Sequence, residues 1–400
     1  MSADRRTEGN VRHVGNRSRM TRRRLVAGSL GVIALGGVGT ESAAHPMATP
    51  AVQSSGSGKT REYFISAEEI DWDYAPSGMD MITGERLEDE PEAAVFTKPG
   101  PDRIGRVYRK AQYQAFTDET FTTRVPVTST WEHLGIMGPV IRAEVGDTIL
   151  VHFRNRTTFD ASMHPHGVRY DKANEGALYA DGTSGTDKLD DAVKPGDTYT
   201  YTWEVPDRSG PGPADLSSMI WMYHSHTHEI PDTYAGLVGP LIIARQGAAD
   251  ADAVPTDIDR EFVTLFSVFD ENSSSYLAEN LKRIGSNLST VDLDDEFTES
   301  NLMHSINGYV YGNLPGLTMK VGERVRWYVV GMGNEVDLHT PHWHGETLTW
   351  MGMRMDMIEL LPMSMRTLDM VPDEPGTWLY HCHVNDHMIA GMQALYTVNA

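Results

Sequence analysis

The chain has 400 residues, a formal net charge of −22 and hydrophobic residues at 40% of its positions. That length allows two domains with sizeable cores, and so acidic a surface disfavours binding to nucleic acid or to a membrane surface while it attracts cations. Cys382 is the only cysteine, which excludes an intramolecular disulfide.

The N-terminus is predicted to direct export. In residues 1–44, Arg22-Arg23-Arg24 precede an apolar stretch that is shorter than the roughly 20 residues of a membrane span, and small residues follow at 42–44. Consecutive arginines before such a stretch resemble a twin-arginine signal. Removing this leader, with its eight arginines and three acids, would take the formal charge from −22 to −27. We expect an exported protein, secreted, periplasmic or in the cell envelope, with a flexible linker at 45–59 and no membrane attachment once mature.

The next segment, residues 60–247, is predicted to be a β-domain. Val145-Gly146-Asp147 opens a run in which apolar residues alternate with others, the pattern of a strand that follows a turn. Two histidine pairs follow, in His164-Pro165-His166-Gly167 and in the run Trp221–His226. Helical periodicity is weak, whereas Gly and Pro are frequent.

Residues 258–400 repeat this order. Val321-Gly322-Glu323 opens an alternating run, His342-Trp343-His344-Gly345 follows, and Trp378–His383 closes the half. Two similar halves of this kind predict an all-β chain with two tandem Greek-key β-sandwich domains.

The halves differ in their capacity to bind a metal. His339, Cys382 and Met392 of the second half align with Ala161, Ser225 and Leu237 of the first. A thiolate, two imidazoles and one distant thioether form the ligand set of a blue (type 1) copper site. Only the second half can therefore hold such a copper, whereas the His-x-His pairs occur in both.

These motifs resemble the multicopper oxidases, and the similarity runs from about Arg61 to the C-terminus. Phrases such as Ala67–Trp72, Glu132–Gly135, Phe266–Glu271 and Gly331–Asp337 are similar to ceruloplasmin and the coagulation-factor A domains. The resemblance implies cupredoxin-like domains. Ceruloplasmin has six of them and this chain two, so it resembles a bacterial two-domain member.

The resemblance also implies four copper ions and their ligands. The type 1 copper would be held by His339, Cys382, His387 and Met392; the type 2 copper by His164 and His342; and the type 3 pair by His166, His224, His226, His344, His381 and His383.

In two-domain members the first domain of one chain faces the second domain of the next. A head-to-tail interface that closes gives cyclic symmetry, so we predict a homotrimer. Electrons would pass from the type 1 copper through Cys382 and its flanking histidines, and dioxygen would be reduced to water. Asp181 matches an acidic position that supplies protons in related oxidases, although its Asp-Gly pair is also an ordinary turn signal.

The reductant is less sharply indicated. Glu299, His304, Glu335 and Asp386 match the iron site of ceruloplasmin-type ferroxidases, with Glu335 supplied by a neighbouring domain, which favours iron(II) as the substrate. The alternative is that Glu299 and Glu335 are solvated and that Asp386 only orients His387.

Three further functions stay open. A laccase would oxidise phenols at the same coppers. A cuprous oxidase is suggested by Met351, Met353, Met355 and Met357, since thioethers bind copper(I), although one face of a buried strand is the favoured interpretation. A copper carrier would not need eight histidines in a second centre, and a copper nitrite reductase needs only three.

Calcium is a further candidate cofactor. Asp187, Asp190 and Asp191 form an acidic loop where ceruloplasmin relatives bind calcium, and oxygen ligands in a loop suit that ion. An acidic loop in an acidic protein usually needs no ion.

Overall fold

The computed structural model describes residues 58–400. The predicted export signal at 1–44 and most of the linker at 45–59 lie outside this range. Within it, no helix is long and apolar enough to cross a membrane.

The first eight strands build two four-stranded sheets, with the orders β2-β1-β4-β6 and β3-β8-β7-β5. The strands are β1 Thr60–Asp73, β2 Val107–Phe116, β3 Ile141–Glu144, β4 Thr148–Arg156, β5 His164–Pro165, β6 Thr198–Glu204, β7 Ser218–His224 and β8 Val238–Ala244. The helices are α1 Pro91–Thr97 and α2 Glu229–Ala235, with 3-10 turns at Glu132–Leu134, Lys172–Asn174, Gly185–Lys188 and Asp207–Ser209.

The second set of strands forms a six-stranded sheet, β10-β9-β12-β16-β14-β15, and a four-stranded sheet, β11-β18-β17-β13. The strands are β9 Arg260–Asp270, β10 Leu302–Ile306, β11 Thr318–Lys320, β12 Val325–Gly331, β13 Pro341–Trp343, β14 Leu348–Trp350, β15 Met353–Met355, β16 Met365–Met370, β17 Gly376–Cys382 and β18 Gln393–Asn399. The helices are α3 Leu277–Arg283, α4 Asp295–Ser300 and α5 Asn385–Ile389.

The alternation of apolar and polar residues in the sequence corresponds to alternate burial in strands that have one face against the core. In β4 every second residue is buried, as a strand with one solvated face requires. The turn before it uses Gly146 at φ +102°, and the amide of Asp147 donates to the carbonyl of Glu144. Central strands β8 and β12 are buried at every residue because neighbouring layers cover both faces.

Each half has a hydrophobic core of its own, and a third core, built from residues of both halves, contains a buried ion pair. Lys110 of β2 bonds Glu271, which follows β9, and neither side chain is exposed to solvent. The Lys110 ammonium also donates to the carbonyl of Tyr234 at 2.6 Å, and the Tyr74 hydroxyl donates to Glu271 at 2.5 Å. Burial lowers the pKa of Lys110 more than the neighbouring carboxylate raises it. The pair therefore joins the two halves through charged groups removed from water.

The methionine run does not form a buried face, contrary to the favoured interpretation. The chain reverses at Met351, which has φ +51°, so the methionines lie on the β14–β15 hairpin and on the segment after it. Met351 is 73% exposed and Met353 is 55% exposed. In the described residues β15 is the last strand of its sheet, so no further strand pairs with it, and of its methionines only Met355 packs partly against the core.

Candidate metal centres

The first centre is a set of nitrogen and sulfur atoms at the end of β17. Cys382 is the last residue of that strand, His387 returns on α5, and His339 precedes β13. The Cys382 Sγ lies 3.9 Å from Nδ1 of His339 and 3.7 Å from Nδ1 of His387, and the two Nδ1 atoms are 3.1 Å apart. Met392 is fully buried, and its carbonyl accepts from the Cys382 amide at 3.1 Å. One thiolate and two imidazoles converge at a spacing that a copper ion between them would fit.

A buried carboxylate fixes the ring of His339. Its Nε2 donates to Oδ1 of Asp337 at 3.1 Å, which leaves Nδ1 free to bind a metal. The same oxygen accepts from the amide of Val268 at 2.7 Å, and Asp337 is completely buried. The sequence motifs quoted above include Asp337, but nothing in its spacing identifies this role.

The thiol is held in the form that metals bind. Burial raises the pKa of Cys382, but hydrogen bonds with His339, His387 and backbone amides outweigh it and bring the pKa to about 6. The amide of Thr340 points at Sγ from 3.4 Å. At neutral pH the thiolate is therefore favoured.

The second group of histidines, His342, His344, His381 and His383, lies immediately behind Cys382. Pairing of β13 with β17 sets His342 opposite His381, with Nδ1 of the first 3.2 Å from Nε2 of the second. His344 Nε2 is 3.0 Å from the same nitrogen, and the rings of His342 and His383 are 5.5 Å apart. Burial, more than neighbouring histidines, lowers the pKa of His381 to about 4, so its ring is neutral at pH 7. We call these four residues the C-terminal quartet.

The first half builds an equivalent group, the N-terminal quartet of His164, His166, His224 and His226. Pairing of β5 with β7 sets His164 opposite His224, and the Nε2 atoms of His166 and His224 are 3.1 Å apart. The Nδ1 of His164 donates to the carbonyl of Glu175 at 2.6 Å, which leaves Nε2 free as a ligand. Burial lowers the pKa of His164, His166 and His224, and neutral, oriented imidazoles suit metal binding.

The two quartets do not meet within the chain. Across residues 58–400, hydrogen bonds and ring contacts connect histidines within each quartet, and none connects one quartet to the other. Only the C-terminal quartet contains a group compact enough to hold a metal by itself, formed by His342, His344 and His381.

The first half also preserves the frame of the copper pocket without its ligands. The amide of Ser225 donates to the carbonyl of Leu237 at 3.1 Å, as that of Cys382 donates to Met392 at 3.1 Å. The amide of Ser162 donates to the Ser225 hydroxyl, as that of Thr340 approaches the sulfur. These bonds agree with the alignment of the halves, and the hydroxyl of Ser225 bonds Asp232 at 2.7 Å in place of a metal.

Three of the four proposed iron ligands adjoin the type 1 candidate. The His304 ring is 5.2 Å from that of His387, and Nδ1 of His304 donates to the Leu302 carbonyl, leaving Nε2 free. Loss of hydration and then the charge of Asp386 raise the pKa of Glu299, so these two carboxylates are close. Glu335 is exposed and lies near Tyr234 instead.

Asp181 is bound by lysines. Lys188 lies 2.9 Å and Lys172 3.5 Å from its carboxylate. The bond from Lys188, followed by bonds from Thr183, lowers the pKa of Asp181 well below its ordinary value. In this arrangement Asp181 is ionised at neutral pH.

The acidic loop contains one unsatisfied carboxylate oxygen. Asp190 is completely buried, its Oδ2 accepts from the amide of Gly176 at 2.7 Å, and its Oδ1 has no partner. Burial, above all, raises its pKa to about 6. Asp191 pairs with Lys188 at 2.8 Å, and Asp187 lies in the 3-10 turn before them.

Comparison with known proteins agrees with this geometry. Two sequence models, each of a multicopper oxidase domain, match residues 127–248 and 286–400, together more than half of the chain. Human hephaestin is 45% identical over 346 residues, which are 86% of this chain and 30% of hephaestin. Human ceruloplasmin is 44% identical over 345 residues, 85% of this chain and 32% of its own length. The mouse protein named ferroxidase HEPHL1 is 45% identical over 341 residues, 85% and 29% of the two chains.

The chain thus spans about a third of the length of these curated relatives. Among solved structures, the multicopper oxidase mgLAC has a TM-score of 0.54 at 18% identity and covers 85% of this chain and 86% of its own. Copper nitrite reductase from Nitrosomonas europaea has a TM-score of 0.53 at 20% identity and covers 85% and 94%. These structures share the fold, which confirms the all-β, cupredoxin-like prediction. With both halves matched and long stretches similar to ceruloplasmin and hephaestin, the chain belongs to the multicopper oxidase family.

Proposed function

We propose that this protein is a multicopper ferroxidase, which oxidises iron(II) and reduces dioxygen to water. The observation that carries the proposal is the position of His304, whose ring contacts His387 while its Nε2 remains free. Glu299 and Asp386 are exposed on the same side, so a cation could bind within reach of the His387 edge. A mouse and a human relative of the chain bear the name ferroxidase, which favours iron over phenols.

The ligand assignments of the sequence are retained in this proposal. Copper would be held by His339, Cys382, His387 and Met392, and by the two quartets, where it supplies one-electron transfer and dioxygen chemistry. Cys382 stands between His381 and His383 in the chain, which provides a short covalent connection between the two centres. Asp337 keeps His339 oriented. Asp181 remains the candidate that passes protons, receiving them as an ionised acceptor.

A ring of chains would complete the second centre. Each quartet is partly exposed, and in residues 58–400 no hydrogen bond or ring contact joins a histidine of one quartet to one of the other. An exposed apolar side chain lies beside each group: Leu178, whose amide donates to the carbonyl of His226 in the N-terminal quartet, and Met357, which forms a β-bridge with His342 of the C-terminal one. We therefore infer a homotrimer in which domain 1 (60–247) of one chain faces domain 2 (258–400) of the next.

Glu335 is exposed, and in this arrangement it would be supplied to the iron site of a neighbouring chain. Calcium is proposed at Asp187, Asp190 and Asp191, supported by the unpaired buried oxygen of Asp190. Export through a twin-arginine signal belongs to the proposal as well.

Oxygen uptake by the copper-loaded protein tests the substrate. Iron(II), copper(I) and a dimethoxyphenol would be compared in the wild type and in Glu299→Ala/Asp386→Ala. Asp292→Ala/Asp295→Ala is the matched control, because it removes the same charge from exposed acids of the same segment. We expect fast iron oxidation that falls in the first variant and persists in the control, with phenol oxidation less affected.

Rapid phenol turnover with slow iron oxidation insensitive to these changes would make the protein a laccase. Fast copper(I) oxidation alone would make it a cuprous oxidase, for which the exposed Met351 and Met353 offer a binding surface. No uptake with any donor would leave a copper carrier.

A further inference from the structure

A hydrogen-bonded chain connects helix α2 of the first half to the type 1 candidate site of the second. The hydroxyl of Tyr234 accepts from Nδ2 of Asn334 at 3.1 Å. The amide of Asn334 donates to Oδ2 of Asp337 at 2.9 Å, and Oδ1 of Asp337 accepts from His339 at 3.1 Å. Tyr234 and Asn334 are 100 residues apart in sequence.

Each member of this chain is held in place independently. Asp337 is completely buried, and its own amide donates to the carbonyl of Asn334 at 3.0 Å, which closes a tight turn. The Oδ1 of Asn334 accepts from the amide of Val336 at 2.9 Å, so only its Nδ2 reaches outward. Tyr234 is 6% exposed, and Lys110 binds its carbonyl. The Tyr234 hydroxyl is therefore a fixed point in the core between the halves.

The Tyr234 hydroxyl is an important anchor for the turn around Asp337, because most other residues of this turn are exposed. Glu335, Val336 and Leu338 all face solvent, and Gly333 has φ +132°. A loop with few buried side chains opens more easily than the strands beside it. A hydrogen bond from Asn334 to a buried hydroxyl restrains the loop, and the loop in turn sets where the Asp337 carboxylate meets His339.

We propose that Tyr234 is a positioning residue for the type 1 copper, acting through Asn334 and Asp337 on the orientation of His339. The proposal rests on the copper assignment made above. It deepens that assignment by giving the first half, which lacks a type 1 copper of its own, control over the site in the second. Neither the copper motifs nor the comparisons assign Tyr234 a role.

The test is Tyr234→Phe in the copper-loaded full chain, with Tyr328→Phe as the matched control. Tyr328 is fully buried, and its hydroxyl bonds Ser218 at 2.6 Å across the same two halves, away from His339. The readouts are the position and intensity of the blue absorption band, the hyperfine splitting of type 1 copper in electron paramagnetic resonance, and copper retention against a chelator. Thermal unfolding reports the loss of stability in each variant.

We expect Tyr234→Phe to shift the band and the hyperfine splitting and to weaken copper retention. The loss of retention should be less than about tenfold, because removing a group that bonds a metal ligand directly costs about tenfold or more and Tyr234 acts one step further away. Tyr328→Phe should lower stability without either spectroscopic change. Asn334→Ser keeps an acceptor for Val336 but cannot reach Tyr234, so adding Tyr234→Phe to it should have no further effect.

A Tyr234→Phe protein with the wild-type spectrum and copper retention would overturn the proposal. So would an equal spectroscopic change in Tyr328→Phe, or additive effects of Tyr234→Phe and Asn334→Ser. A wild type without a blue band would remove the copper assignment and this inference together. A blue wild type that oxidises no iron would refute only the ferroxidase proposal, and the Tyr234 comparison would still decide this one.

Discussion

Oδ1 of Asp337 lies 3.1 Å from Nε2 of His339, and both side chains are excluded from solvent. This contact selects one tautomer of the histidine and directs its other nitrogen towards Cys382. A carboxylate in this position makes the imidazole both better oriented and more basic, which strengthens its bond to a metal.

Replacing Asp337 with alanine should weaken type 1 copper binding by about 10–100-fold, because His339 loses its orienting acceptor. The measurement is the blue band per folded chain during titration with a copper chelator. Asp147→Ala is the control, since Asp147 is also buried and accepts from two backbone amides, far from the copper ligands. It should lower stability and leave the band unchanged. Equal copper retention in Asp337→Ala and wild type would contradict the assigned role.

Mixing two inactive chains tests the ring. His164→Ala/His166→Ala destroys the N-terminal quartet, and His342→Ala/His344→Ala destroys the C-terminal one. If each centre forms between neighbouring chains, an equal mixture reassembled at random should recover about a quarter of wild-type oxygen uptake, because one interface in four joins two intact quartets. If each centre formed within a single chain, the mixture would stay inactive. Sedimentation of the mixture checks that rings have formed.

Stability should fall as the pH drops from 7 to 5, partly through His133. This histidine is fully buried, its Nε2 accepts from the amide of Val263, and burial lowers its pKa to about 4. Below pH 6.5 the unfolded chain binds a proton at His133 that the folded chain does not, so this residue stabilises less as the pH falls towards 4. The expected contribution to the loss between pH 7 and 5 is about 2 kcal/mol.

Urea unfolding at both pH values, in the wild type and in His133→Gln, measures that difference. The glutamine still offers an acceptor to Val263 but does not titrate, so the pH dependence should shrink. His152→Gln, at a partly exposed position on β4, is the control and should retain the wild-type dependence. An unchanged slope in His133→Gln would show that other groups account for the acid sensitivity.

Gly333→Ala should disrupt the loop that holds Asp337. A Cβ at this residue would lie 2.0 Å from Oδ2 of Asp337, and φ is +132°. Gly322→Ala has a similar backbone problem, with φ +79°, but meets no atom within 4 Å. The control should therefore cost about 1–3 kcal/mol of backbone strain with an unchanged blue band, whereas Gly333→Ala should lose more stability and the band as well. A normal band in Gly333→Ala would mean that the carboxylate can move without effect on copper.

The histidine clusters and Cys382 could be recognised in the sequence as candidate metal ligands because metal sites favour particular residue types at particular spacings, and the structure brings their side chains together. The two halves could be aligned around Ser225 and Cys382 because both keep the same sequence order, and the backbone hydrogen bonds of these two residues repeat in the structure. The partners that orient the ligands could not be found. Tyr234 and Asn334 come together only through packing between the halves, and no local pattern encodes a contact across 100 residues.

The prediction made from the methionine run was wrong for a different reason. Alternation predicted one buried strand, but period two cannot distinguish one strand from two joined by a tight reversal. Gly352, next to Met351, was the available turn signal. The sequence also does not show which N-terminal quartet would pair with which C-terminal quartet, because the two quartets of one chain do not contact each other.

The Lys110–Glu271 pair constrains the order in which this protein folds during its synthesis. Lys110 leaves the ribosome 161 residues before its counter-ion. Until Glu271 arrives, burial of that ammonium would leave a charge without a partner, at a cost of about 3–5 kcal/mol. We therefore expect Lys110 and the end of β2 around it to stay hydrated until β9, the first strand of the C-terminal sandwich, has been synthesised. We therefore expect the two sandwiches to complete their folding together at their shared boundary.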